Sequence, residues 1–490
     1  MISKSLYIRA LQCPKSFWLY KNRPELREVE EKETLFNRGY EVGDLAKKLF
    51  DGGVEIEFNP DDFRGMIKKT KELLDKENII YEATFSENGI FIMADILVRN
   101  GDGWNMYEVK SSTNVKDYHI DDASIQWYAI SNVINLKKAF IVHINNEYEK
   151  NGELEIDRLF KIEDITDKVL EKQKEIPKNL EKIEKILSLK EEPEISIGSH
   201  CFNPFECDFT HYCWNNIPEI SVFNLYRMNF DKKMELYNKG IIDLEDVDEN
   251  SLNKTQKIQI KTYKEKSVHI EKEKIENFLN KLTYPINFLD FETFQEAIPR
   301  FNKQKPYEQI PFQYSLHILY ENGKLEHKEF LGDENQDPRA ELIKNLINDL
   351  TDKGTILAYN KSFEIGVIKR LAKFAPEYEK KLLGLIERFE DLIEPFRNLG
   401  VYHYNFNGSF SIKSVLPALF PDDEKLNYKN LGLIQNGGDA MDSFANLHLI
   451  EDENLKKRIK EDLLKYCKLD TFAMVKLLEK LEGFSQNPLQ

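Results

Sequence analysis

The chain has 490 residues, a length that suits about three domains, and 41% of them are hydrophobic, which is enough for well-packed cores. The net charge of −16 argues against a basic protein that coats nucleic acid, but it leaves room for an acidic metal site beside a local basic groove. No apolar run reaches the roughly 18 residues of a membrane span, and the N-terminus lacks the features of a signal peptide. We therefore expect a cytoplasmic protein without a membrane partner.

Residues 1–216 show the pattern of a mixed α/β domain. Polar and apolar residues alternate in IIYEATFS, IFIMADILV and WNMYEVKSS, which predicts three strands, with turns at Gly89 and at 101–103. Helical patterns flank them in ETLFNRGYEVGDLAKKLF and DDASIQWYAISNVI, and KKAFIVHI predicts a further strand. A charged helical stretch at 163–190 then leads to a group of cysteines.

Two of these strands carry charged residues that suit a metal site. Asp95 lies on one strand, and Glu108 and Lys110 lie on the next, where residues two apart project from the same face. The short turn between the strands brings Asp95 alongside. Two carboxylates bind a divalent ion, and the lysine orients a water or stabilises charge that develops on a phosphate. The alternative is an edge strand with solvated charges.

Four of the five cysteines form a second group. Cys201, Cys207 and Cys213 follow a C-x5-C-x5-C pattern, and Cys13 begins a helix that has a proline in its first turn. In a reducing cytoplasm such a group indicates a metal, and four thiolates suit either a [4Fe–4S] cluster or zinc, although the spacing differs from that of common zinc fingers. Alternatively, all four are ordinary buried residues. Cys467 is expected to be a core residue of the last helix.

These two groups resemble the iron–sulfur RecB-like nucleases of the PD-(D/E)XK class, which have a restriction-endonuclease-like fold and include the CRISPR-adaptation exonucleases and the AddB nuclease domain. The resemblance covers residues 5–215 and includes RGYEVGDLAKKLF and Gln126 in SIQWYAI. It implies a [4Fe–4S] cluster that pins the end of the domain to its beginning, which should stabilise so long a loop. It also implies catalytic roles for Asp95, Glu108, Lys110 and Gln126, with the two acids as ligands of Mg²⁺ or Mn²⁺.

Two positions depart from that family's pattern. Gly43 stands where the family often has a metal-binding histidine, and Ile130 stands where it often has a tyrosine, with Tyr128 nearby. Because the missing histidine removes a metal ligand, a half of the chain that binds without catalysing is an open alternative.

Residues 217–283 are predicted to be a helical connector rich in lysine and glutamate. The segment LYNKGIIDLEDV has the pattern of two helices joined by a glycine turn. Such a hairpin either binds the DNA backbone or is simply a pair of packed helices.

Residues 284–490 are again α/β. We predict strands at 286–292, 311–320, 325–330 and 355–359, and helices at 338–351, 361–374 and 454–481. Strands that come first, with an antiparallel pair near the start, and helices that follow them suit an RNase H-like layout.

Three segments of this region supply acidic residues. Asp290 and Glu292 share a face at the end of a strand, and Glu364 opens a helix. Asp470 lies one helical turn after Tyr466, whose hydroxyl would position an attacking water. Two divalent ions about 3.5–4 Å apart need several carboxylate ligands, and such a pair holds the attacking and leaving oxygens of a phosphate displacement. Each short motif by itself also arises by chance.

The order of these motifs resembles the DnaQ-like 3′→5′ exonucleases of the DEDD class, in the subclass with a tyrosine before the last aspartate. The resemblance spans 284–480 and rests on DFE at 290–292, NKSFE at 360–364 and YCKLD at 466–470. It implies that the four acids bind Mg²⁺ or Mn²⁺, although the family normally has aspartate where this chain has the longer Glu364. Asp391 is a candidate auxiliary acid, and the candidate substrate contacts are Asn360, Ser411 and Lys413.

Taken whole, the chain resembles a prokaryotic family in which two such nuclease domains are fused. The leading hypothesis is a metal-dependent nuclease with two centres, acting on single-stranded DNA above all, or on RNA. The second centre would trim a 3′ end, and the first would cut or degrade single-stranded DNA, with the opposite polarity as one option. A role in DNA repair or in processing foreign DNA rests on analogy. The alternatives are a nucleic-acid-binding protein with one degenerate half, and a zinc-stabilised hydrolase of another substrate.

Overall fold

The computed structural model describes residues 1–28 and 41–486, and the chain forms two compact units. The first unit comprises Met1–Asn216 and Ala297–Tyr307, and the second comprises Ile217–Glu296 and Glu308–Gln490. Both units combine helices with β-sheet, so the predicted α/β class is confirmed. Residues 217–283, which we expected to form a separate connector, group with the second unit.

The first unit is built on one twisted sheet. Its strands are β1 (Ile2–Ser3), β2 (Val54–Glu55), β3 (Ile79–Glu87), β4 (Ile90–Asn100), β5 (Gly103–Lys110), β6 (Leu136–Ile144) and β7 (Phe160–Asp164). Its helices are α1 (Lys4–Gln12), α2 (Pro14–Asn22), α3 (Phe63–Leu74), α4 (Asp117–Ile130), α5 (Ile156–Leu159), α6 (Thr166–Lys172), α7 (Ile176–Leu187) and α8 (Thr210–Cys213). Residues 41–47 are also helical, whereas the earlier part of that predicted helix, 33–40, lies outside the described residues.

The strand order of this sheet is β2-β3-β4-β5-β6-β7, and β1 pairs with β4 beside this path. The strands β3, β4 and β5 form an antiparallel meander, whereas β6 runs parallel to β5. The four strands predicted here are confirmed. We did not predict β7, whose sequence FKIED has four exposed residues, because an edge strand tolerates charges that obscure its alternation. The core lies between the sheet and α4, where Ile120, Ala123 and Ile130 are buried.

The second unit contains a five-stranded sheet and a separate strand pair. Its strands are β8 (Val268–Ile270), β9 (Ile286–Phe294), β10 (Ile310–Leu319), β11 (Leu325–Leu331), β12 (Ile356–Ala358), β13 (Phe389–Asp391) and β14 (Val401–His403). Its helices are α9 (Phe230–Asn238), α10 (Lys254–Glu265), α11 (Lys272–Leu279), α12 (Arg339–Asp349), α13 (Ser362–Phe374), α14 (Glu379–Ile386), α15 (Glu394–Arg397), α16 (Ile412–Leu419), α17 (Gly437–Asn446) and α18 (Glu453–Gln486).

The five-stranded sheet has the order β11-β10-β9-β12-β13. The strands β9, β10 and β11 are antiparallel, and β12 and β13 extend the sheet in parallel with β9. The four predicted strands and three predicted helices of this region are all confirmed. The remaining pair, β8 with β14, joins the expected connector to the C-terminal part of the same unit.

The predicted helix–glycine–helix segment is only half right. The helix α9 ends at Asn238, and Gly240 adopts a left-handed φ of +78°, as a turn after a helix requires. The following residues form a 3-10 turn over Leu244–Asp246, and the next α-helix begins only at Lys254. The Asp243 side chain accepts a hydrogen bond from the Glu245 backbone (2.8 Å), a local bond that competes with a helix.

None of the helices in the described part of the chain combines the length and the hydropathy that crossing a membrane requires.

Candidate metal centres

Acidic residues converge in the second unit where α18 packs on the sheet. The Gln313 side-chain amide on β10 donates to the Leu463 carbonyl oxygen (2.9 Å), and the hydroxyls of Ser315 and Thr471 are hydrogen-bonded (2.7 Å). These bonds hold α18 on β10 beside β9, where Ser315 pairs directly with Asp290. The last helix is therefore fixed against the strand that carries the first two predicted acids.

The predicted acids lie close together. One oxygen each of Asp290 and Glu292 and the sulfur of Cys467 all lie within 4.8 Å of one another. Cys467 is buried, as predicted, but its Sγ is only 3.7 Å from Asp290 Oδ2, so it lines the acidic site. Glu364 is buried at the start of α13, and its Oε2 has no hydrogen-bond partner. A buried carboxylate oxygen without a partner is suited to a cation.

Burial raises the pKa of each acid in this cluster, and repulsion from the other acids adds to the shifts of Asp290 and Glu292. Burial, followed by the charges of Asp470 and Glu292, raises the pKa of Asp290 well above its ordinary value. Burial and the charge of Asp470 do the same to the pKa of Glu292, and the charge of Glu364 adds to both shifts. Burial raises the pKa of Glu364 to about 8 and that of Asp470 to about 6. Divalent cations would remove this repulsion, so the cluster is suited to bind them.

Two tyrosines, not one, accompany the last acid. Tyr466 is buried one turn before Asp470, and it lowers the pKa of that carboxyl as a hydrogen-bond donor. The hydroxyl of Tyr428 also donates to Asp470 Oδ1, at 2.5 Å. We missed Tyr428 because it lies 42 residues away on a 3-10 turn, outside any recognisable motif. The ammonium of Lys413 lies 5.5 Å and 5.6 Å from the two ring centroids, and its charge lowers the pKa of Asp470.

The three predicted substrate contacts of this unit lie in two different places. Asn360 and Ser411 line one cavity of about 310 Å³, whereas Lys413 lies beside the two tyrosines. Asp391, the candidate auxiliary acid, accepts hydrogen bonds from the backbone N–H groups of Asn360 (2.8 Å) and Ile393 (3.3 Å). Its charge adds to the effect of burial on the pKa of Glu364. Asp391 therefore positions the loop after β12 at the edge of the cluster.

In the first unit, the four predicted residues meet as expected. Asp95 Oδ2 accepts a hydrogen bond from the Val109 backbone (2.7 Å), which ties β4 to β5. Lys110 Nζ is 2.7 Å from Glu108 Oε1, and the Gln126 amide donates to Glu108 Oε2 at 2.7 Å. Gln126 is fully buried, and its Oε1 has no hydrogen-bond partner.

Three further charged residues join this site. Lys4 Nζ is 2.7 Å from Glu108 Oε1 and 3.6 Å from Asp95 Oδ1, so its ammonium lies between the two acids. Asp122, one turn before Gln126, lies 2.5 Å from Lys110 Nζ. The i, i+4 spacing between Asp122 and Gln126 would have revealed Asp122 from the sequence. Lys4 is 104 residues from Glu108, and no sequence pattern links the two.

The charges of this site are largely compensated within the protein. Burial alone would raise the pKa of Glu108, but the charges of Lys110 and Lys4 lower it well below its ordinary value. Burial, followed by the charge of Glu108, raises the pKa of Asp95 to about 6. Burial and the charge of Asp95 also raise the pKa of Glu82, the third residue that we missed, to about 7. The first unit places the ammonium groups of Lys4 and Lys110 within 2.7 Å of Glu108, whereas the cation whose charge lowers the pKa values of Glu292 and Asp470 in the second unit is Lys413.

The four cysteines predicted to bind a metal line a single cavity. None forms a disulfide, and Cys207 Sγ is 3.3 Å from the hydroxyl of Ser16, which follows Cys13 in the chain. In the described part of the chain, the group of three metal-donor atoms that all lie within 4.8 Å of one another belongs to Asp290, Glu292 and Cys467, and not to the cysteines of this cavity. The four thiols are free of disulfides and line one cavity, so they remain available to hold a metal centre.

Polar contacts hold the two ends of the first unit together around this cavity. Asp208 accepts from Arg9 Nη2 (2.8 Å) and from Arg27 Nε (2.6 Å). The Gln12 side-chain amide donates to the carbonyl oxygens of His200 (2.8 Å) and Phe205 (2.7 Å). The N-terminal helices and the cysteine-bearing segment thus form one structure.

Comparison with known proteins gives partial matches. A domain of unknown function, DUF2779, matches residues 287–411, which contain three of the four clustered acids. The uncharacterised protein MG366 of Mycoplasma genitalium is 27% identical over 223 residues, which are 42% of this chain and 33% of that protein. Its Mycoplasma pneumoniae homologue is 29% identical (44% and 35%), and the uncharacterised protein UU173 of Ureaplasma parvum is 30% identical (44% and 33%).

Among solved structures, that of SSO0001 aligns with 44% of this chain and 87% of its own, at 16% identity and a TM-score of 0.21. The chain spans about a third of the length of the curated relatives that it matches. The descriptions of these proteins name no activity, cofactor or partner.

Proposed function

We propose that this chain is a metal-dependent nuclease that hydrolyses phosphodiester bonds, with a 3′→5′ exonuclease centre in the second unit. The observation that carries the proposal is the convergence of four carboxylates, three buried and that of Asp290 half-buried, whose pKa values are all raised. One of them, Glu364, has an oxygen without a hydrogen-bond partner. Such a cluster opposes folding unless cations are bound. A pair of Mg²⁺ or Mn²⁺ ions bound there would supply Lewis-acid activation of water and charge neutralisation.

Asp290, Glu292, Glu364 and Asp470 would hold the ions, as in the DnaQ-like exonucleases that the motifs resemble. Tyr466 and Tyr428 hold the Asp470 carboxylate in place, and Tyr466 would also orient the attacking water. The strand order supports an RNase H-like fold, because three antiparallel strands are extended by strands parallel to the first of them.

For the first unit, we propose a RecB-like PD-(D/E)XK domain that binds single-stranded DNA and carries a [4Fe–4S] cluster on Cys13, Cys201, Cys207 and Cys213. The cavity that the four cysteines share supports a metal centre on their thiols, and the resemblance to the iron–sulfur nucleases is the reason for proposing the cluster. The meander that joins Asp95 to Glu108 and Lys110 supports the nuclease-like site.

A second candidate function is favoured by one observation. The Lys4 ammonium lies between Asp95 and Glu108, where a divalent ion would bind. The position that would supply the family's histidine is Gly43. In this alternative the first unit binds nucleic acid without cleaving it, and the second unit carries all of the catalysis.

The test is cleavage of 5′-labelled single-stranded DNA and RNA with Mn²⁺ or Mg²⁺ by the wild type, Asp290→Asn and Lys110→Met. The matched control is Glu461→Gln, a change at an exposed residue of α18. We expect stepwise shortening from the 3′ end that is lost in Asp290→Asn and kept in the control.

Loss of all cleavage in Lys110→Met alone would place catalysis in the first unit instead. Absence of cleavage by the wild type with either metal would contradict the nuclease proposal. Retained binding of single strands would then leave a nucleic-acid-binding protein.

A further inference from the structure

The cavity beside the second unit's acidic cluster is lined by cationic and aromatic side chains. It has a volume of about 310 Å³, and its lining includes Tyr226, Arg227, Tyr359, Asn360, Arg397 and Ser411. This volume is at the lower end for sites that hold small ligands, so one or two chemical groups of a larger molecule fit it. The lining joins segments that are far apart in the chain.

Strand register places this cavity next to the acids. In β12, Ile356 and Leu357 pair in parallel with Asn287 and Phe288 of β9. Tyr359 follows the last residue of β12 and comes two residues after Leu357, as Asp290 comes two residues after Phe288, so both lie towards the same end of the paired strands. The lining residues Tyr359 and Asn360 thus leave the sheet at the edge where the acids gather.

The expected connector supplies one wall of the cavity. The backbone of Tyr226 is held at both ends, because its N–H donates to Gln259 Oε1 (3.0 Å) and its carbonyl oxygen accepts from Gln256 Nε2 (2.9 Å). The Tyr226 ring meets the Phe410 ring edge to face at a centroid distance of 4.9 Å. The Tyr359 hydroxyl donates to the Phe410 carbonyl oxygen (2.7 Å), which completes the wall.

Two guanidinium groups face this cavity without carboxylate partners. Arg227 and Arg397 are both exposed. The Arg227 guanidinium lies 5.3 Å from the centroid of the Tyr226 ring. Within residues 217–296 and 308–486, neither guanidinium forms an ion pair. In a chain with a net charge of −16, two uncompensated cations beside an acidic cluster point to an anionic ligand.

We propose that this cavity binds a single strand of nucleic acid next to the scissile bond, with Arg227 and Arg397 on its phosphates and a base against the tyrosine rings. The inference rests on the proposed exonuclease function and adds that residues 217–283 form part of the substrate site. Guanidinium groups suit phosphates, and aromatic faces accept any base, so the site would bind strands without sequence preference.

The experiment measures binding of fluorescein-labelled dT12 and U12 to the full chain by anisotropy, with EDTA present so that no cleavage occurs. The variants are Arg227→Ala, Arg397→Ala and the double variant, and the control is Arg458→Ala, an exposed arginine of α18. We expect a 5–10-fold loss of affinity for each single variant, about a 50-fold loss for the double variant, and less than a twofold change for the control. The slope of log affinity against log salt should fall by about 1.4 in the double variant.

Unchanged affinity in the double variant, or no binding by the wild type at 100-fold protein excess over label, would overturn the inference. Cleavage is assayed separately with Mn²⁺, so the two proposals fail independently. Reduced binding without any cleavage by the wild type would keep the site and refute the exonuclease. Cleavage by the wild type together with unaffected binding in the variants would support the exonuclease and refute the binding site.

Discussion

Replacing Glu364 by glutamine should stabilise the metal-free protein at alkaline pH. The carboxyl is buried, one of its oxygens has no hydrogen-bond partner, and burial raises its pKa from 4.5 to about 8. Between these values the folded chain keeps a proton that the unfolded chain releases. The stability of the wild type therefore falls as the pH rises from about 4.5 to 8, and it stays reduced above that pH.

The size of the effect follows from the shift. The pKa shift of about 3.5 units, at about 1.4 kcal/mol per unit, gives an upper bound of about 5 kcal/mol for the loss of unfolding free energy in the wild type. The glutamine amide needs hydrogen bonds of its own, which reduces the gain to about 2–4 kcal/mol at pH 8.5. The gain should nearly vanish at pH 5.5, where the folded wild type holds Glu364 protonated.

Differential scanning calorimetry in EDTA at the two pH values measures this gain, with Glu461→Gln as the control. At about 2–4 °C per kcal/mol for a unit of this size, we expect the transition of the second unit to rise by about 5–10 °C at pH 8.5. Adding Mn²⁺ should stabilise the wild type and remove its pH dependence, because bound ions keep the carboxylates ionised. The Mn²⁺ shift of Glu364→Gln should be much smaller.

Two results would refute this reasoning. If the variant is no more stable than the wild type at pH 8.5, then ionisation of the buried Glu364 carboxyl does not destabilise the wild type. An equal Mn²⁺ shift in both proteins would show that its carboxylate is not a ligand.

The first unit yields two further predictions. When purified without oxygen, the wild type should be brown and contain iron, whereas Cys207→Ser should be colourless and lack iron. The variant should also melt about 10 °C lower, because a link across so long a loop stabilises the fold by about 4–5 kcal/mol. A colourless wild type with one bound zinc would contradict this prediction. Lys4→Met should raise the Mn²⁺ affinity of the first unit's site at least tenfold, because it removes the ammonium between Asp95 and Glu108. Titration calorimetry measures this affinity in proteins that also carry Asp290→Asn, and an unchanged affinity would show that the ion binds elsewhere.

Local patterns were sufficient to predict most strands and helices and part of each site. Alternation placed Asp290 and Glu292 on one face of β9, and the same rule placed Glu108 and Lys110 together on β5. The spacing of the cysteines predicted one group, and the structure brings all four around one cavity. The predictions for β9 and β5 succeeded because the two residues of each pair are near one another in the chain, where strand periodicity determines the direction of each side chain.

Only the tertiary structure brought in the remaining residues of the sites. Lys4 reaches Glu108 across 104 residues, and Tyr428 reaches Asp470 across 42. Arg227 comes from a segment that we expected to be a connector. No periodicity links such positions, because their proximity depends on how β1, α18 and the loops pack on the sheets. The sequence alone determined which elements form and which faces carry charge, whereas packing decided which charges compensate one another and which remain free to bind a ligand.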